Sequence, residues 1–129
     1  MTRLGTIDIS ELNTPPEKHE LATAKFFANL GKDIKFIRPI NVKGVHTPDF
    51  YMDGLAWEIK SPKTRNTTGI ENNFRSAIKQ SENIIFDLRR LKIADDKCIN
   101  KIRKETKKRA NVRRVKIITR NGVLLTIKK

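Results

Sequence analysis

One short stretch of the chain places acids and a lysine at a spacing that can support chemistry. Asp49, Glu58 and Lys60 all lie in this stretch, which runs from Thr47 to Lys60. Side chains two residues apart in a strand point to the same face, so Glu58 and Lys60 are expected to stand together. Two carboxylates at a sheet edge can hold Mg²⁺, and a nearby lysine can orient a nucleophile or stabilise developing charge. The spacing therefore points to phosphodiester cleavage, with an ordinary surface ion pair as the alternative.

A hairpin is the element that must position these residues. Asp53-Gly54 is a dipeptide typical of tight turns, and it joins two apolar runs, 49–52 and 55–60. Closing this hairpin brings Asp49 beside Glu58. On the opposite face of the second run, Trp57 is expected to pack in the core.

The remaining pattern predicts a single α/β domain over residues 1–129, with a small mixed sheet and flanking helices, after an irregular segment 1–13. Thr14, two prolines and Glu17 predict a helix start, and this helix should end near Gly31. The other expected elements are a strand at 34–37, a loop at 61–69, a helix from Ile70, a buried strand at 83–88, a helix after Asp95 and Asp96, and a closing hairpin of 115–119 and 123–127 around Asn121-Gly122.

Positive charge is concentrated at the C-terminal end. The chain has 28 Lys and Arg against 14 Asp and Glu, a net charge of +14, and residues 97–129 hold 13 of these cations against one acid, Glu105. Such a block attracts polyanions, nucleic acid first, although an acidic protein, an anionic membrane surface or plain solvation would also fit. The residues expected to contact a nucleic-acid backbone are Lys104, Lys107, Lys108, Arg109, Arg113 and Arg114.

The composition of the sequence also argues against several classes of protein. No window approaches the roughly 20 apolar residues of a membrane span, and the N-terminus lacks an apolar signal core, so no membrane insertion is expected. Cys98 is the single cysteine, which forbids an internal disulfide and favours a reducing, cytosolic environment, with the thiol buried on the third helix. His19 and His46 are interpreted as exposed or turn residues outside the catalytic set.

Pro48-Asp49 followed by Glu58-Ile59-Lys60 resembles the motif of the PD-(D/E)xK nuclease superfamily. The longer run HTPDFYMDGLAWEIKSPK resembles the tRNA nuclease domain at the C-terminus of CdiA contact-dependent inhibition toxins. The resemblance implies that Asp49 and Glu58 bind Mg²⁺ or Mn²⁺, with Zn²⁺ less favoured, and that Lys60 is catalytic. It also implies a helix glutamate completing the site, which is Glu20 here, with Glu17 in reserve and a solvent-exposed role near the helix dipole as the alternative.

The resemblance continues through IENNFRSAIKQSENIIFDL to the closing strands. It suggests that Asn73 and Gln80, near one stripe of the second helix, point towards the substrate or the lysine, although such amides also simply solvate a helix. Ser61 and Lys63 follow the strand end at Lys60 and are expected to contact substrate, with a solvated loop as the alternative.

The function implied is cleavage of RNA, most specifically tRNA, in the cytoplasm of a target cell. Delivery would occur as part of a larger secreted protein, and an acidic immunity protein would protect the producer. The chain begins at Met1, so it is either an excised domain or a free-standing relative. A DNA endonuclease of the same superfamily and a non-catalytic basic nucleic-acid-binding module are the rival interpretations. Aromatic residues are only 6% of the chain, which argues against extensive stacking on unpaired bases and fits recognition of a folded RNA or a duplex by backbone and shape.

Overall fold

A mixed sheet with helices on both faces forms the protein, as the sequence predicts. The computed structural model describes residues 3–63 and 66–129. Within them, seven strands lie side by side in chain order, and β1/β2, β4/β5 and β5/β6 pair in parallel while the other neighbours are antiparallel. The elements are β1 (Ile7–Asp8), α1 (Lys18–Asn29), β2 (Ile34–Phe36), β3 (Phe50–Met52), β4 (Leu55–Lys60), α2 (Thr67–Ala77), β5 (Asn83–Asp87), α3 (Asp96–Lys108), β6 (Arg114–Ile118) and β7 (Leu124–Lys128).

Alternate residues of the central strands point to opposite faces of the sheet, so the core has two halves. α1 covers one face, where Ala24 and Phe27 pack in a cluster with Trp57 and Ile85. α2 and α3 cover the other face and pack on a cluster that includes Ile84. Each half buries one side of the same central strands.

The register of β4 decides which face its polar residues occupy. Glu58 pairs with Ile84 and Lys60 pairs with Phe86 on the parallel neighbour β5. Because Ile84 and Phe86 belong to the half of the core beneath α2, Glu58 and Lys60 lie on the α2 side of the sheet.

The predicted β3–β4 hairpin is confirmed. Asp53 and Gly54 both have positive φ, 55° and 75°, which is the conformation that a two-residue turn of this kind requires. Trp57 is 1% exposed, and its indole N–H donates to the carbonyl of Met52 at 3.1 Å, so it is a packing residue as expected. The closing β6–β7 hairpin around Gly122 is confirmed as well.

Three predicted boundaries are wrong. α1 begins at Lys18, because Glu17 rather than Thr14 is its cap and forms a capping box with Glu20. α2 begins three residues before Ile70, because the Asn66 side chain accepts a hydrogen bond from the backbone N–H of Thr68 at 3.0 Å and starts the helix there.

The third wrong boundary is in the N-terminal segment, where Ile7 and Asp8 form a short parallel strand on β2. Residues 64 and 65 of the predicted loop lie outside the described residues. Cys98 is fully buried, as predicted. In the described residues, no helix has the length and apolar character needed to cross a membrane.

Candidate active site

Backbone hydrogen bonds fix Asp49 at the start of the hairpin. Its N–H donates to the carbonyl of Trp57 at 2.9 Å, and its Oδ2 accepts from the N–H of Ile59 at 2.7 Å. These two bonds place Asp49 opposite Glu58 on the neighbouring strand. The convergence of the two acids follows from the register of the hairpin.

Glu58 is a buried carboxylate held against a lysine. The residue is 3% exposed, and its Oε2 lies 3.3 Å from the Nζ of Lys60. The same ammonium donates to the Oγ of Ser76 on α2 at 3.3 Å. The other oxygen, Glu58 Oε1, is buried and has no hydrogen-bond partner among the described residues.

Glu20 is the acid of α1 that contacts this cluster. Its carboxyl group is in hydrogen-bonding contact with that of Asp49, and its Oε1 also accepts from the backbone N–H of Glu17 at 3.0 Å. The reserve candidate Glu17 instead has a largely exposed side chain paired with His19 at 3.4 Å. Asp49 therefore stands between Glu20 and Glu58 and contacts both.

Burial shifts all three carboxyl groups towards the protonated form. It raises the pKa of Glu20 to about 7, with the hydrogen bond to Asp49 adding to the rise. It raises the pKa of Asp49 to about 7, with the hydrogen bond and charge of Glu58 adding to it. Burial also raises the pKa of Glu58, against the opposing effects of Asp49 and Lys60. Near neutral pH the cluster therefore shares protons, which a cation would displace.

The donor set suits a hard divalent cation. As they stand, the described residues contain no group of three or more His, Cys, Asp or Glu side chains that could hold a metal ion. Asp49 and Glu58 supply carboxylate oxygens, including the unpartnered Oε1, and such oxygens are what Mg²⁺ and Mn²⁺ prefer. Glu20, whose carboxyl group already contacts that of Asp49, is the third acid of this donor set, with its Oε1 held by the amide of Glu17.

A cavity of about 410 Å³ opens onto Asp49 and Glu20. Its walls are the segment 12–17 and residues 36–39 and 41 at and after the end of β2, together with Thr47 and Pro48. The guanidinium of Arg38 donates to the carbonyl of Glu11 at 2.7 Å and ties these two walls together. Asp49 and Glu20 thus line this cleft, whereas Glu58 is buried behind them and is not among its lining residues.

The other residues predicted near the site differ in their contacts and in their exposure. Gln80 donates to the carbonyl of Thr47 at 3.3 Å, close to Asp49, whereas Asn73 is half-buried on α2. The carbonyl of Ser61 accepts from the guanidinium of Arg90, its hydroxyl is buried without a partner in the described part of the chain, and Lys63 is exposed.

Ser76, which contacts Lys60, was missed by sequence reasoning. The available signal was its position four residues before Gln80, which the sequence placed on the same helix stripe although α2 ends at Ala77.

The basic block divides into residues that are exposed and residues that contact other groups of the fold. Lys104, Lys107 and Arg113 are exposed, and Lys108 is exposed with its Nζ 3.7 Å from the carboxylate of Glu105. Arg109 is paired with buried Glu105 at 3.5 Å and lies over the ring of Phe74 at 5.3 Å. Arg114 donates to the side chain of Asn83 at 3.2 Å. Arg109 and Arg114 therefore have structural partners inside the fold.

A second feature missed by sequence reasoning is a buried polar cluster that holds α1 on the sheet. Asp87 is 2% exposed, and its Oδ2 accepts from the hydroxyl of Thr23 at 2.6 Å and from Arg89 at 2.7 Å. Arg89 also donates to the carbonyl of Ala22 at 3.0 Å. Burial opposes ionisation of Asp87, but the hydrogen bonds from Arg89 and Thr23 hold its pKa below the ordinary value. Since Thr23 is one turn from Glu20, this cluster positions the helix acid.

Together these features define a small mixed α/β domain with a buried acid and lysine cluster at the start of a hairpin. A solved structure of a CdiA-CT/CdiI toxin and immunity complex from Burkholderia pseudomallei has a similar fold, with a TM-score of 0.72 and 19% sequence identity over 97% of this chain and 100% of that chain. At this identity the likeness shows the fold alone.

The family is shown by the sequence itself. A family model described as the contact-dependent growth inhibition CdiA C-terminal domain matches residues 46–124. The chain therefore belongs to the CdiA C-terminal domain family of contact-dependent growth inhibition toxins. The matched segment includes Asp49, Glu58 and Lys60 but not Glu20. A comparison with curated proteins finds no match, and membership of the PD-(D/E)xK superfamily stays a prediction.

Removing one charge from the carboxylate cluster should stabilise the protein at high pH. The raised pKa of Asp49 means that the folded state binds more protons than the unfolded state between about pH 4 and 7, so the stability contributed by the protonated cluster is lost as pH rises through 7. We expect Asp49→Asn to raise the free energy of unfolding by about 1 kcal/mol at pH 8, roughly 4 °C in Tm, and to have little effect at pH 5. Thermal unfolding at both pH values measures this.

The matched control is Asp33→Asn. The Asp33 carboxylate is exposed, and the hydrogen bonds from Thr6 hold its pKa below the ordinary value, so this variant should gain no stability at pH 8. An Asp49→Asn variant with the same Tm difference at both pH values would contradict the assigned pKa shift.

Breaking the Asp87 cluster should destabilise the fold. Asp87→Ala leaves the Arg89 guanidinium without its buried partner, and we expect a loss of about 3 kcal/mol in urea unfolding. Thr23→Val removes one hydroxyl from the cluster and should cost about 1 kcal/mol. The control is exposed Glu82→Ala; equal stability of Glu82→Ala and Asp87→Ala would show that the cluster contributes nothing.

Proposed function

We propose that this toxin domain is a metal-dependent nuclease that cleaves phosphodiester bonds of RNA, with tRNA as its substrate. The observation that carries the proposal is the Glu58 carboxylate, buried beside Asp49 and Lys60, whose Oε1 has no hydrogen-bond partner in the described part of the chain. Buried polar atoms nearly always have a hydrogen-bond partner, so a buried carboxylate oxygen without one suggests that a ligand binds there. A divalent cation bound to a phosphate oxygen is the ligand that suits this chemistry best.

In this proposal the acids and the lysine of the cluster have different roles in hydrolysis. Asp49 and Glu58 would hold Mg²⁺ or Mn²⁺, and Glu20 would approach as a third acid. When bound, such an ion lowers the pKa of a water ligand and neutralises charge on phosphate oxygens. Lys60, fixed between Glu58 and Ser76, would position the attacking water or stabilise the charge that develops on the phosphorus oxygens.

The distribution of aromatic side chains supports a folded RNA over an unpaired strand. Phe27, Phe50, Trp57, Phe74 and Phe86 are fully buried, whereas Tyr51 is 48% exposed. Stacking on unpaired bases needs exposed rings, so this surface suits recognition of a phosphate backbone by its shape and charge. The exposed cations of α3 would contact that backbone.

Cleavage assays with matched variants test the proposal. We expect the protein to cut tRNA with Mg²⁺ and not with EDTA, and to leave duplex DNA intact. Loss of a metal ligand in Glu58→Gln and loss of the ammonium in Lys60→Ala should each slow cleavage by about 100-fold or more. The controls Glu82→Gln and Lys25→Ala change exposed residues of the same types and should retain full activity.

The other outcomes would overturn parts of the proposal. Cutting of DNA alone would keep the site and replace the substrate by that of a DNA endonuclease. Binding of tRNA without cutting, unchanged in Glu58→Gln, would favour a non-catalytic basic module.

We also propose that an acidic immunity protein binds this domain in the producing cell, and that delivery to the target-cell cytoplasm occurs within a larger secreted protein. The similar structure from Burkholderia pseudomallei is a complex of a toxin with its immunity protein. A net charge of +14 with exposed cations on α3 favours an acidic partner.

Binding of the immunity protein should depend on salt and on α3. We expect Lys104→Glu/Lys108→Glu to weaken binding about tenfold or more, because exposed charges at an interface set specificity and association rate. Calorimetry at about 50 and 200 mM salt gives the dependence. The control is Lys18→Glu/Lys25→Glu on α1, and equal weakening by the two pairs would rule out α3 as the docking face.

A further inference from the structure

A second cavity lies along α2, and one of its lining residues, Ser76, contacts Lys60. It encloses about 320 Å³ and is lined by His46, Asn72, Arg75, Ser76, Lys79 and Gln80. All six side chains are polar, two are permanent cations and none is an acid. A cavity with this lining suits an anion that also accepts hydrogen bonds.

The helix period explains why these side chains share one wall. Arg75 and Ser76 follow Asn72 by three and four residues, and Lys79 follows Ser76 and Arg75 by three and four, so these residues lie on one face of α2 and the turn that ends it. Arg75 and Lys79 are exposed, so their charged groups are accessible to a ligand. The two cations stand one helical turn apart, on either side of Ser76.

Two hydrogen bonds fix the cavity relative to the carboxylates. Ser76, in its wall, accepts from the Nζ of Lys60 at 3.3 Å. Gln80, at its other end, donates to the carbonyl of Thr47 at 3.3 Å, two residues before Asp49. The cavity therefore begins one side chain away from Lys60.

Ion pairs continue this surface from α2 onto α3. Glu71 lies 3.5 Å from Arg75 and 3.4 Å from Lys101, so one acid bridges the cavity wall and the first basic turn of the C-terminal block. Arg75 and Lys101 together exceed the charge of Glu71, and Lys79 adds to the excess. Cations therefore outnumber acids on this surface between α2 and α3.

We propose that this cavity binds the phosphate next to the scissile phosphate of the substrate, with Arg75 and Lys79 as its ligands; the inference rests on the proposed nuclease function. A guanidinium can bind a phosphate through two parallel hydrogen bonds, and a lysine adds a flexible point charge. Ser76 and Gln80 would fix the position of that phosphate relative to Lys60. The strand would then run from the carboxylates over α2 to the exposed lysines of α3.

Binding without cleavage gives the first test. In a Glu58→Gln background with EDTA, Arg75→Ala/Lys79→Ala should weaken tRNA binding about tenfold or more at 100 mM salt and reduce the slope of log affinity against log salt by about 1. The matched control is Lys18→Ala/Lys25→Ala, which removes two exposed charges from α1 and should change affinity less than twofold. Since all four residues are exposed, unchanged thermal unfolding confirms that each variant folds.

Cleavage kinetics in the otherwise wild-type protein give the second test. Loss of a contact remote from the reacting atoms should raise KM about tenfold and leave kcat within about threefold, and Arg75→Lys should restore part of the loss. If the wild type cuts tRNA while Arg75→Ala/Lys79→Ala binds and cuts as the control does, the cavity is not a phosphate site and the nuclease function stands. If the wild type cuts no nucleic acid with Mg²⁺ or Mn²⁺, both proposals are wrong.

Discussion

The hydrogen bond from the Ile59 amide to the Asp49 carboxylate is the contact on which the whole site depends. Together with the bond from the Asp49 amide to the carbonyl of Trp57, it fixes the register at the open end of the hairpin. A slip of one residue in the pairing would move Glu58 and Lys60 to the α1 side of the sheet and Trp57 to the α2 side. Packing of Trp57 therefore holds the acids in place, since burying the indole and aligning the carboxylates require the same register.

The carboxylate cluster works against the stability of the fold that contains it. Burial raises the pKa of Asp49 and Glu20 to about 7, so ionisation of either carboxyl group near neutral pH lowers the free energy of unfolding. The apolar clusters on both sides of the sheet and the buried pair of Asp87 and Arg89 offset that loss. An acid cluster that lowers stability where apolar residues would raise it is typical of a site retained for function.

Local sequence patterns are enough to predict the hairpin and the pairing of Glu58 with Lys60, because Asp53-Gly54 and the two-residue period act over short distances. The start of α1 was harder to predict, because two capping patterns overlap and the one formed by Glu17 and Glu20 prevails over the one starting at Thr14. The spacing of Ser76 from Gln80 gave a hint, but its contact with Lys60 could not be predicted because it depends on how α2 packs on β4. Asp87 is hidden in a strand that is buried along its whole length, where a polar residue carries no periodic signal.

The acids of the proposed site and the cations of α2 and α3 differ in how deeply they are buried. The acids that carry the proposed chemistry are buried or half-buried at the hairpin, whereas the exposed cations of α2 and α3 extend from Lys60 across one side. The cations attract a polyanion over a distance of about a Debye length, while the acids act only on a group that has already docked. An RNA and an acidic protein would both be drawn to this face. A partner that neutralises the cations would therefore stop cleavage without touching the carboxylates, because the substrate would no longer accumulate beside them.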